Sequence, residues 1–528
     1  MNATQTPTSS IAELPQVAVI GSGAMGRGIG QLFAQIGCSV VMIDTQEAAI
    51  AAAKAHYIST FAKLLEKGRL TQAKSDELLS RFTFSTELTA AHNAGLVVEA
   101  IVENLGIKRE LFTKLEGIVS PQAIISSNTS SLSITNLASI CTYPERIAGL
   151  HFFNPVPLMK VVEIVEAPLT SKETLATLQF LIEKTGHQAV ICKDTPGFIV
   201  NHAGRGYGVE ALRALGEGVA SFSEIDAIMR EQINFAGNSF KLGPFELLDL
   251  TGLDVSHPVM ESIYHQYFEE PRFRPSVITK QRMDAKLLGR KTKRGFYDYS
   301  SGTQQLMPKD VQPETLPVNI NPQQRYWVAK SPGQTAQAAR VQALIEALGG
   351  AIDTAVTPAL DSIIVTTPWG TDASQECSDL GLDASRAIAI DTLFPFDFKA
   401  CKRRVMMGTP ATHKAVLAQA AALFASDGAK VSVLADSAGF ISQRICAMII
   451  NIACEIAQQQ VASPQDIDSA VQQGLGYPQG PLSMGNTLGA AAVFEILQNL
   501  HAVTGDDRFR PSAWLRRRAQ LNLSLLQQ

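Results

Sequence analysis

A histidine and a glutamate that could share acid–base chemistry, His151 and Glu163, lie in one short stretch, residues 151–163. A proline-containing turn and a β-like run separate them, so the chain could fold the carboxylate back onto the imidazole. An imidazole backed by a carboxylate is the arrangement of a general base. A salt bridge without catalytic function gives the same pattern, so the neighbouring sequence has to decide between the two.

A glycine-rich turn precedes this stretch in the setting that a dinucleotide site requires. An apolar strand over 17–20 runs into it, a helix over 27–36 follows, and a second strand over 39–43 ends on Asp44. Unpaired N–H groups at the start of the helix would hold a pyrophosphate, and Asp44 would accept hydrogen bonds from ribose hydroxyls. Asp44 would also repel a 2′-phosphate, so NAD is favoured over NADP, and a turn of an unrelated α/β unit is the alternative interpretation. The residues predicted to bind the cofactor here are Gly21, Gly23, Ala24, Met25, Gly26 and Asp44.

Three further strands are predicted over 96–100, 123–127 and 147–150, and their ends lie at one edge of a parallel sheet. A loop of small polar residues, 126–131, follows the second of them and could line that edge, cap the next helix, or do both. The third strand delivers His151 to the same edge. The His–Glu pair is therefore expected beside the nicotinamide pocket.

Six segments that follow one another between residues 16 and 300 resemble the motifs of the 3-hydroxyacyl-CoA dehydrogenase family. They are 21–26, 98–104, 127–131, 151–163, 194–201 and 243–250. The resemblance implies oxidation of an (S)-3-hydroxyacyl-CoA to a 3-ketoacyl-CoA, with NAD as cofactor and no metal. An NAD-dependent dehydrogenase of a non-CoA hydroxy acid or sugar acid, and a non-catalytic protein that binds CoA or NAD, are the alternatives.

The resemblance also implies roles for individual residues. His151 would take the proton of the 3-hydroxyl, Glu163 would orient its ring, and Ser130 and Asn201 would hydrogen-bond the reacting oxygens. The remaining implied NAD contacts are Glu103, Lys108, Ser130 and Asn154, and the implied CoA contacts are Thr60 and Lys67.

Two residues depart from the family pattern. His202 stands where the family usually has arginine, and Lys241 stands where proline is common. Lys241 is either an exposed loop lysine or a contact for the distal carboxylate of a dicarboxylic acyl chain. The expected substrate is accordingly 3-hydroxyadipyl-CoA, as in phenylacetate degradation, or 3-hydroxybutyryl-CoA, as in fatty acid β-oxidation.

The second half of the chain repeats part of the first. Residues 194–199 return as 436–441, an offset of 242, and 272–276 return as 508–512. The residues with chemistry are not repeated, since Asn201 corresponds to Gln443 and His151 to Asp391, and the glycine-rich turn has no copy.

We therefore predict an α/β Rossmann-type NAD-binding domain, an all-α helical domain, a degenerate α/β segment and a second helical domain. The predicted bounds are 1–193 for the NAD-binding domain, 194–300 for the first helical domain, 301–339 for a linker, 340–435 for the degenerate segment and 436–528 for the second helical domain. The second copy would cover the face through which two-domain members dimerise, as an intrachain pseudo-dimer. A regulatory or acyl-CoA-binding role is the alternative, and a homo-oligomer stays possible.

Net charge and cysteine content indicate which binding partners and which cellular compartment to expect. A formal net charge of −4 over 528 residues gives no reason to expect nucleic acid or a membrane surface. Seven scattered cysteines without a CxxC pair are typical of free thiols in a reducing compartment, and no cluster of metal ligands is apparent. The polar leader 1–16 lacks the apolar core of a signal peptide, so a cytoplasmic location is expected.

Overall fold

The computed structural model describes residues 14–307, 310, 321, 323–331 and 333–528. The predicted leader, up to residue 13, and most of the predicted linker between 308 and 322 lie outside these residues. The chain divides into two compact units, Met1–Ile199 and Val200–Gln528.

A single sheet forms the centre of the first unit. Its strands are β1 Val17–Ile20, β2 Val40–Ile43, β3 Phe82–Ser85, β4 Leu96–Glu99, β5 Ile124–Ser127, β6 Ile147–Phe152, β7 Val161–Glu166 and β8 Gln188–Lys193. Their order across the sheet is β3-β2-β1-β4-β5-β6-β7-β8. Every residue of β1, β2 and β4 is buried, as expected for continuous apolar strands in a parallel sheet.

The helices of the first unit connect these strands. They are α1 Ala24–Gln35, α2 Glu47–Glu66, α3 Gln72–Ser80, α4 Leu105–Glu116, α5 Ile134–Ala138 and α6 Lys172–Lys184. Phe33 of α1 and Tyr57 of α2 are fully buried in the core, where the Tyr57 ring stacks on Phe82 with 4.1 Å between ring centroids. This packing fixes α1, and with it the glycine-rich turn, against the sheet.

The direction of the sheet reverses between β6 and β7. All neighbouring pairs from β3 to β6 are parallel, whereas β6 and β7 are antiparallel. The register of this pair sets His151 directly opposite Glu163. Opposed residues of antiparallel strands have side chains on the same face of the sheet, so the pairing brings the two groups together.

The second unit begins with a helical segment. Its helices are α7 Val200–Ala203, α8 Arg205–Gly216, α9 Phe222–Glu231, α10 Pro244–Thr251, α11 Leu253–Gln266 and α12 Val277–Asp284. Asp226 of α9 accepts hydrogen bonds from the N–H groups of Phe245 and Glu246 at 2.9 and 3.1 Å, and so caps α10. No helix among the described residues of the chain is both long and apolar enough to cross a bilayer.

A second, smaller sheet follows. Its strands are β9 Arg325–Val328, β10 Ala351–Ile352, β11 Ile363–Thr366, β12 Ala387–Ile390, β13 Arg403–Gly408 and β14 Lys430–Leu434, and its helices are α13 Thr335–Ala347, α14 Ala373–Leu380 and α15 Lys414–Phe424. Their order is β10-β9-β11-β12-β13-β14, and β12 and β13 are antiparallel. This sheet thus repeats the reversal seen between β6 and β7, with two strands fewer.

The start of this sheet corrects one predicted boundary. The segment 301–339, predicted as a linker, contains β9 and the beginning of α13. Only Tyr326 and Val328 of the four residues in β9 are buried, and the surrounding Gln- and Pro-rich sequence hides so short an alternation.

The last five helices are α16 Ile441–Gln458, α17 Pro464–Leu475, α18 Pro481–Leu488, α19 Ala490–Thr504 and α20 Ala513–Leu521. Asp468 of α17 caps α18 by accepting from the N–H groups of Leu482 and Ser483 at 2.7 and 2.9 Å, as Asp226 caps α10. A Cβ added at Gly243 would lie within 2.4 Å of Asp226 atoms, and one at Gly480 within 2.6 Å of Asp468 atoms. The repeat in the sequence is therefore also a repeat of hydrogen bonds and close contacts.

The two helical segments pack on each other through α8 and α16. A Cβ added at Gly206 of α8 would lie 2.9 Å from both the Cα and the N of Ile449 in α16, so the two backbones meet without a side chain between them. Gly208, two residues further on in α8, has nothing within 4 Å of the same position. Gly206 and Gly208 of α8 thus differ, and Gly206 is the one that the packing requires.

We expect Gly206→Ala to lower the free energy of unfolding by about 1–3 kcal/mol, because the new methyl group forces the two backbones apart. Gly208→Ala is the matched control and should raise it by up to about 1 kcal/mol through helix propensity alone. Urea unfolding followed by circular dichroism measures both. Equal effects of the two substitutions would contradict the close approach at Gly206.

Candidate active site

The glycine-rich turn joins β1 to α1 and has the shape of a phosphate cradle. Gly21 has φ +100°, and a Cβ there would lie 2.5 Å from the Ala100 carbonyl oxygen. A Cβ at Gly26 would overlap the Gly21 carbonyl, so α1 and β1 touch. Gly23, the N-cap of α1, offers no side-chain cap to the first N–H groups of the helix and has open space around its Cα. Residues 21–26 therefore fit a pyrophosphate held by backbone N–H groups, with Ala24 and Met25 in the first turn.

Asp44 lies at the end of β2 beside this turn. Its Oδ2 accepts from the N–H and the hydroxyl of Ser22 at 2.8 and 2.9 Å, and its Oδ1 accepts from Gln46 N at 3.1 Å. Burial opposes ionisation of Asp44, but these hydrogen bonds outweigh it and hold the pKa below its ordinary value. The charged carboxylate is partly exposed, as an acceptor for ribose hydroxyls has to be.

A buried ion pair supports the next strand ends. Lys108 Nζ of α4 lies 2.6 Å from Glu99 Oε1 at the end of β4 and 3.2 Å from Glu103 Oε2. Glu99 also accepts from the Ser127 hydroxyl at 2.5 Å, at the end of β5. Both Glu99 and Lys108 are buried, so each charge is compensated by the other. Through these contacts α4 is fixed to the ends of β4 and β5.

Glu103 organises the polar loop after β5. Its Oε1 accepts from the Thr129 hydroxyl at 2.6 Å and from Ser130 N and Ser131 N at 3.0 and 3.2 Å. Burial opposes ionisation of Glu103, but the charge of Lys108 and these hydrogen bonds lower its pKa. The loop predicted as part of the site is thus held in place by a residue that was itself predicted as a cofactor contact.

His151 and Glu163 form a buried pair at the reversal of the sheet. His151 Nδ1 lies 2.5 Å from Glu163 Oε2, and Glu163 is 0 % exposed. Glu163 Oε1 accepts from Ile199 N at 2.9 Å, which prevents the carboxylate from turning away. A carboxylate accepts only from Nδ1–H, so Nε2 is left to accept a proton from a bound molecule.

Two aromatic rings and an amide shape the surroundings of His151. The Phe153 ring meets the imidazole edge-on with 4.4 Å between centroids, and the Phe198 ring lies at 5.7 Å. Asn128 Oδ1 accepts from Phe152 N at 2.8 Å, which links the polar loop to the end of β6. The imidazole therefore sits in a largely apolar setting with one polar side.

The other predicted site residues lie as follows. Asn154 is exposed in the turn after β6, and Ser130 is partly exposed in the loop after β5. Thr60 is partly exposed on α2, and Lys67, the C-cap of that helix, is exposed. Asn201 and Lys241 belong to the second unit, in α7 and in an exposed position ahead of α10.

The sequence predicted no role for Glu99, and it placed Ser127 and Asn128 only within the polar loop 126–131, without individual roles. The signal for Glu99 was present, because a carboxylate at the end of the apolar run 96–99 has to find a partner once the strand is buried. The hydrogen bonds of Ser127 and Asn128 depend on which strands are neighbours, and no local pattern carries that information. Among the described residues, no group of three or more His, Cys, Asp or Glu side chains is arranged to hold a metal ion.

In the second sheet the position of His151 is taken by Asp391, which follows β12. Asp391 N donates to Val405 O of β13 at 2.9 Å, so Val405 takes the place of Glu163. The Asp391 carboxylate accepts from Gln232 Nε2 and Gln443 Nε2 at 2.7 and 2.9 Å and from the Ser442 hydroxyl. This site holds no imidazole, and its carboxylate is buried and fully engaged.

Comparison with known protein families assigns a domain of the same family to each half of the chain. The NAD-binding domain of 3-hydroxyacyl-CoA dehydrogenases matches residues 16–195. The C-terminal domain of the same enzymes matches twice, at 197–299 and at 439–524. The second match falls on the repeated helical segment.

One relative matches nearly the whole chain, and others match about half of it. The chain is 34% identical over 506 residues to a 3-hydroxyadipyl-CoA dehydrogenase of Escherichia coli K12, covering 96% of this chain and 97% of the relative. It is 41% identical over 292 residues to the mitochondrial hydroxyacyl-coenzyme A dehydrogenase of Rattus norvegicus, which covers 54% of this chain and 91% of the relative.

Solved structures agree with the sequence relatives. The crystal structure of a 3-hydroxybutyryl-CoA dehydrogenase from Escherichia coli K12 matches with a TM-score of 0.80 and 32% identity, over 96% of this chain and 99% of the other. The (S)-3-hydroxybutyryl-CoA dehydrogenase of Ralstonia eutropha matches with a TM-score of 0.52 and 38% identity, over 55% of this chain and 100% of the other. With an NAD-binding domain, two copies of the C-terminal domain and a relative that spans nearly the whole length, the chain belongs to the 3-hydroxyacyl-CoA dehydrogenase family.

Proposed function

We propose that the protein oxidises the 3-hydroxyl of an (S)-3-hydroxyacyl-CoA, with His151 as general base. The observation that carries this proposal is the buried His151–Glu163 pair, held by strand register in the NAD-binding unit. NAD, when bound at the 21–26 turn and Asp44, supplies the acceptor for the hydride that leaves C3.

The proton is handled by residues of the chain. His151 Nε2 takes it from the 3-hydroxyl while Nδ1–H remains bonded to Glu163, so the imidazolium that forms lies against a fixed negative charge. The hydrogen bond from the charged imidazolium to Glu163 is stronger than the one from the neutral imidazole. Glu163 therefore stabilises the transition state more than the bound substrate. Glu163 itself cannot move, because Ile199 N holds its other oxygen.

Ser130 and Asn201 are proposed to donate hydrogen bonds to the reacting oxygen, as their motifs in the family imply. Support for Ser130 comes from its place in the loop that Glu103 and Asn128 fix beside β6. Glu103, Lys108 and Asn154 are proposed as parts of the NAD site. Lys108 serves it through Glu103, to which it lies at 3.2 Å.

The substrate is proposed to be 3-hydroxyadipyl-CoA or 3-hydroxybutyryl-CoA, in phenylacetate degradation or in fatty acid β-oxidation. Thr60 and Lys67 on α2 are proposed CoA contacts, supported by their exposure on the NAD-binding unit. Of the two interpretations of Lys241, we propose the exposed loop lysine rather than the contact for a distal carboxylate. It is an exposed lysine, and an ion pair there would contribute little.

We further propose that the second helical segment replaces the dimer partner of two-domain relatives, as a pseudo-dimer within one chain. The contacts between α8 and α16 support this. Glu210 of α8 is buried and pairs with Arg444 at 2.6 Å and with Arg508 at 3.2 Å. Arg272 donates to the backbone oxygens of Arg508 and Arg510 at 3.1 and 2.8 Å. The seven cysteines are free thiols, which favours a reducing compartment such as the cytoplasm.

Activity should depend on His151 and on the CoA thioester. We expect the protein to oxidise NADH with acetoacetyl-CoA and to leave free acetoacetate unreduced. His151→Gln should lower kcat by about 10²- to 10⁴-fold, because the general base is lost. NAD binding, followed by fluorescence titration, should be unchanged.

His92→Gln is the matched control, since His92 is exposed in the same unit. Faster turnover of a free keto acid than of acetoacetyl-CoA would favour a dehydrogenase of non-CoA acids. Full turnover by His151→Gln with NAD still bound would remove His151 from the reaction.

Asp44 should determine cofactor choice. Asp44→Ala removes the acceptor for the ribose hydroxyls and the charge that repels a 2′-phosphate. We expect the KM for NAD to rise by about 5- to 10-fold, the equivalent of one lost hydrogen bond, and the preference over NADP to fall. Glu66→Ala removes an exposed carboxylate of the same unit as control. An unchanged NAD/NADP ratio would count against the role of Asp44.

Removal of the second half tests the pseudo-dimer. Residues 1–300 expressed alone would expose the α8 face around Gly206 together with the buried carboxylate of Glu210. We therefore expect an insoluble product or a new dimer, compared with the full chain by size-exclusion chromatography and light scattering. A soluble, active monomer would contradict the covering role.

A further inference from the structure

The guanidinium of Arg205, in the second unit, forms no ion pair with the residues that the structure describes. Arg205 begins α8, and its Nε donates to the backbone oxygen of Asn201 at 2.9 Å. Its Nη1 is buried and has no hydrogen-bond partner among the described residues. Burial lowers the pKa of Arg205 to about 10. Proteins rarely bury a charge without pairing it.

Tyr477 likewise carries a buried polar group that needs a hydrogen-bond partner. It follows the end of α17 and is 4 % exposed, and its hydroxyl is buried without a hydrogen-bond partner among the described residues. Its ring lies against Tyr207 and Phe240, with centroid distances of 5.7 and 5.1 Å. Buried tyrosine hydroxyls normally find a partner, so this one too is placed for a group that the chain does not supply.

The two groups are neighbours. A Cβ added at Gly204, next to Arg205, would lie 3.1 Å from Leu475 Cδ1, two residues before Tyr477. The charge of Arg205 also acts on the pKa of Tyr477. An N–H donor and an O–H donor that both lack a partner are satisfied together by an acceptor with a negative charge and more than one oxygen, which describes a carboxylate.

The position along the helix fits a short dicarboxylic acyl chain. Arg205 follows Asn201, the proposed contact of the reacting oxygen, by four residues, about one helical turn or roughly 6 Å. Three carbon–carbon bonds separate C3 of a six-carbon acyl chain from its distal carboxyl carbon, a span of about 4 Å, and the carboxylate oxygens extend roughly 1 Å further. The spacing between Asn201 and Arg205 within the second unit is therefore of the length that such a chain needs.

The repeat supplies an internal comparison. At the offset of 242, Arg205 corresponds to Ala447. The segment ahead of α18 aligns Tyr477 with Phe240, since Gly480 aligns with Gly243 at the same offset of 237. The other copy thus lacks both the guanidinium and the hydroxyl. A pair of polar groups that occurs once, on the side of Asn201, is placed for a ligand rather than for the packing that both copies share.

We propose that Arg205 and Tyr477 bind the distal carboxylate of a dicarboxylic 3-hydroxyacyl-CoA and so determine substrate choice. The inference rests on the function proposed above and gives the second half of the chain a direct part in recognition through Tyr477.

The test compares two six-carbon substrates that differ only at the distal end, 3-hydroxyadipyl-CoA and 3-hydroxyhexanoyl-CoA. The readout is the ratio of their kcat/KM values in the full-length enzyme. We expect Arg205→Gln to lower this ratio by about 10- to 100-fold and Tyr477→Phe by about 3- to 10-fold, as for loss of a charged and a neutral hydrogen bond. Arg205→Lys should restore part of the ratio. Arg516→Gln, which removes an exposed arginine of α20, is the matched control.

Each other outcome has a distinct meaning. An equal loss on both substrates overturns the inference, because it assigns Arg205 to a group common to them, such as a CoA phosphate, or to folding. A loss of the ratio in Lys241→Met with none in Arg205→Gln also overturns it and moves the carboxylate to the exposed lysine. If the unmodified enzyme oxidises neither substrate, the proposed function itself fails, which is separate from failure of the anion site.

Discussion

An imidazole and a carboxylate stay in contact only if the backbone on both sides is fixed, and the antiparallel pairing of β6 and β7 provides this. Parallel strands would separate His151 and Glu163 by a crossover connection, whereas direct return of the chain sets them opposite each other. The polar loop after β5, the Lys108–Glu99 pair and the glycine-rich turn are all attached to ends of the same sheet. The position of each depends on the order of the strands in this sheet, β3-β2-β1-β4-β5-β6-β7-β8.

The second sheet shows that this geometry can persist without the chemistry. β12 and β13 pair as β6 and β7 do, yet the two positions hold Asp391 and Val405. Burial raises the pKa of Asp391, and its oxygens accept hydrogen bonds from Gln232, Ser442 and Gln443. In the second sheet the strand pair has a structural role. The Asp391 carboxylate connects the end of β12 to the end of α9 and to α16.

Much of the first unit could be predicted because its signals are local. The apolar strands, the glycine spacing and Asp44 follow one another within 28 residues, 17–44, and each constrains the next. The His–Glu pair could be predicted because one turn separates its members. What escaped prediction depends on contacts across the fold: β9 is too short for its alternation to be seen, and the need for Gly206 arises only from Ile449, 243 residues later. The partners of Glu99 likewise become apparent only when β5 lies beside β4.

Covalent duplication changes what an interface between two copies can contain. At the offset of 242, Arg444 corresponds to His202 and Ile452 to Glu210, so only one of two symmetric ion pairs, Arg444–Glu210, is present. A homodimer has to keep both pairs or lose both, since its subunits share one sequence. Here neither position of the other pair carries a charge: one holds Ile452, and at the other burial lowers the pKa of His202 to about 3, so its ring is neutral and hydrogen-bonds Tyr267 at 3.0 Å. The same freedom allows Arg205 in one copy and Tyr477 in the other to occur once, whereas a symmetric interface would have to accommodate each of them twice.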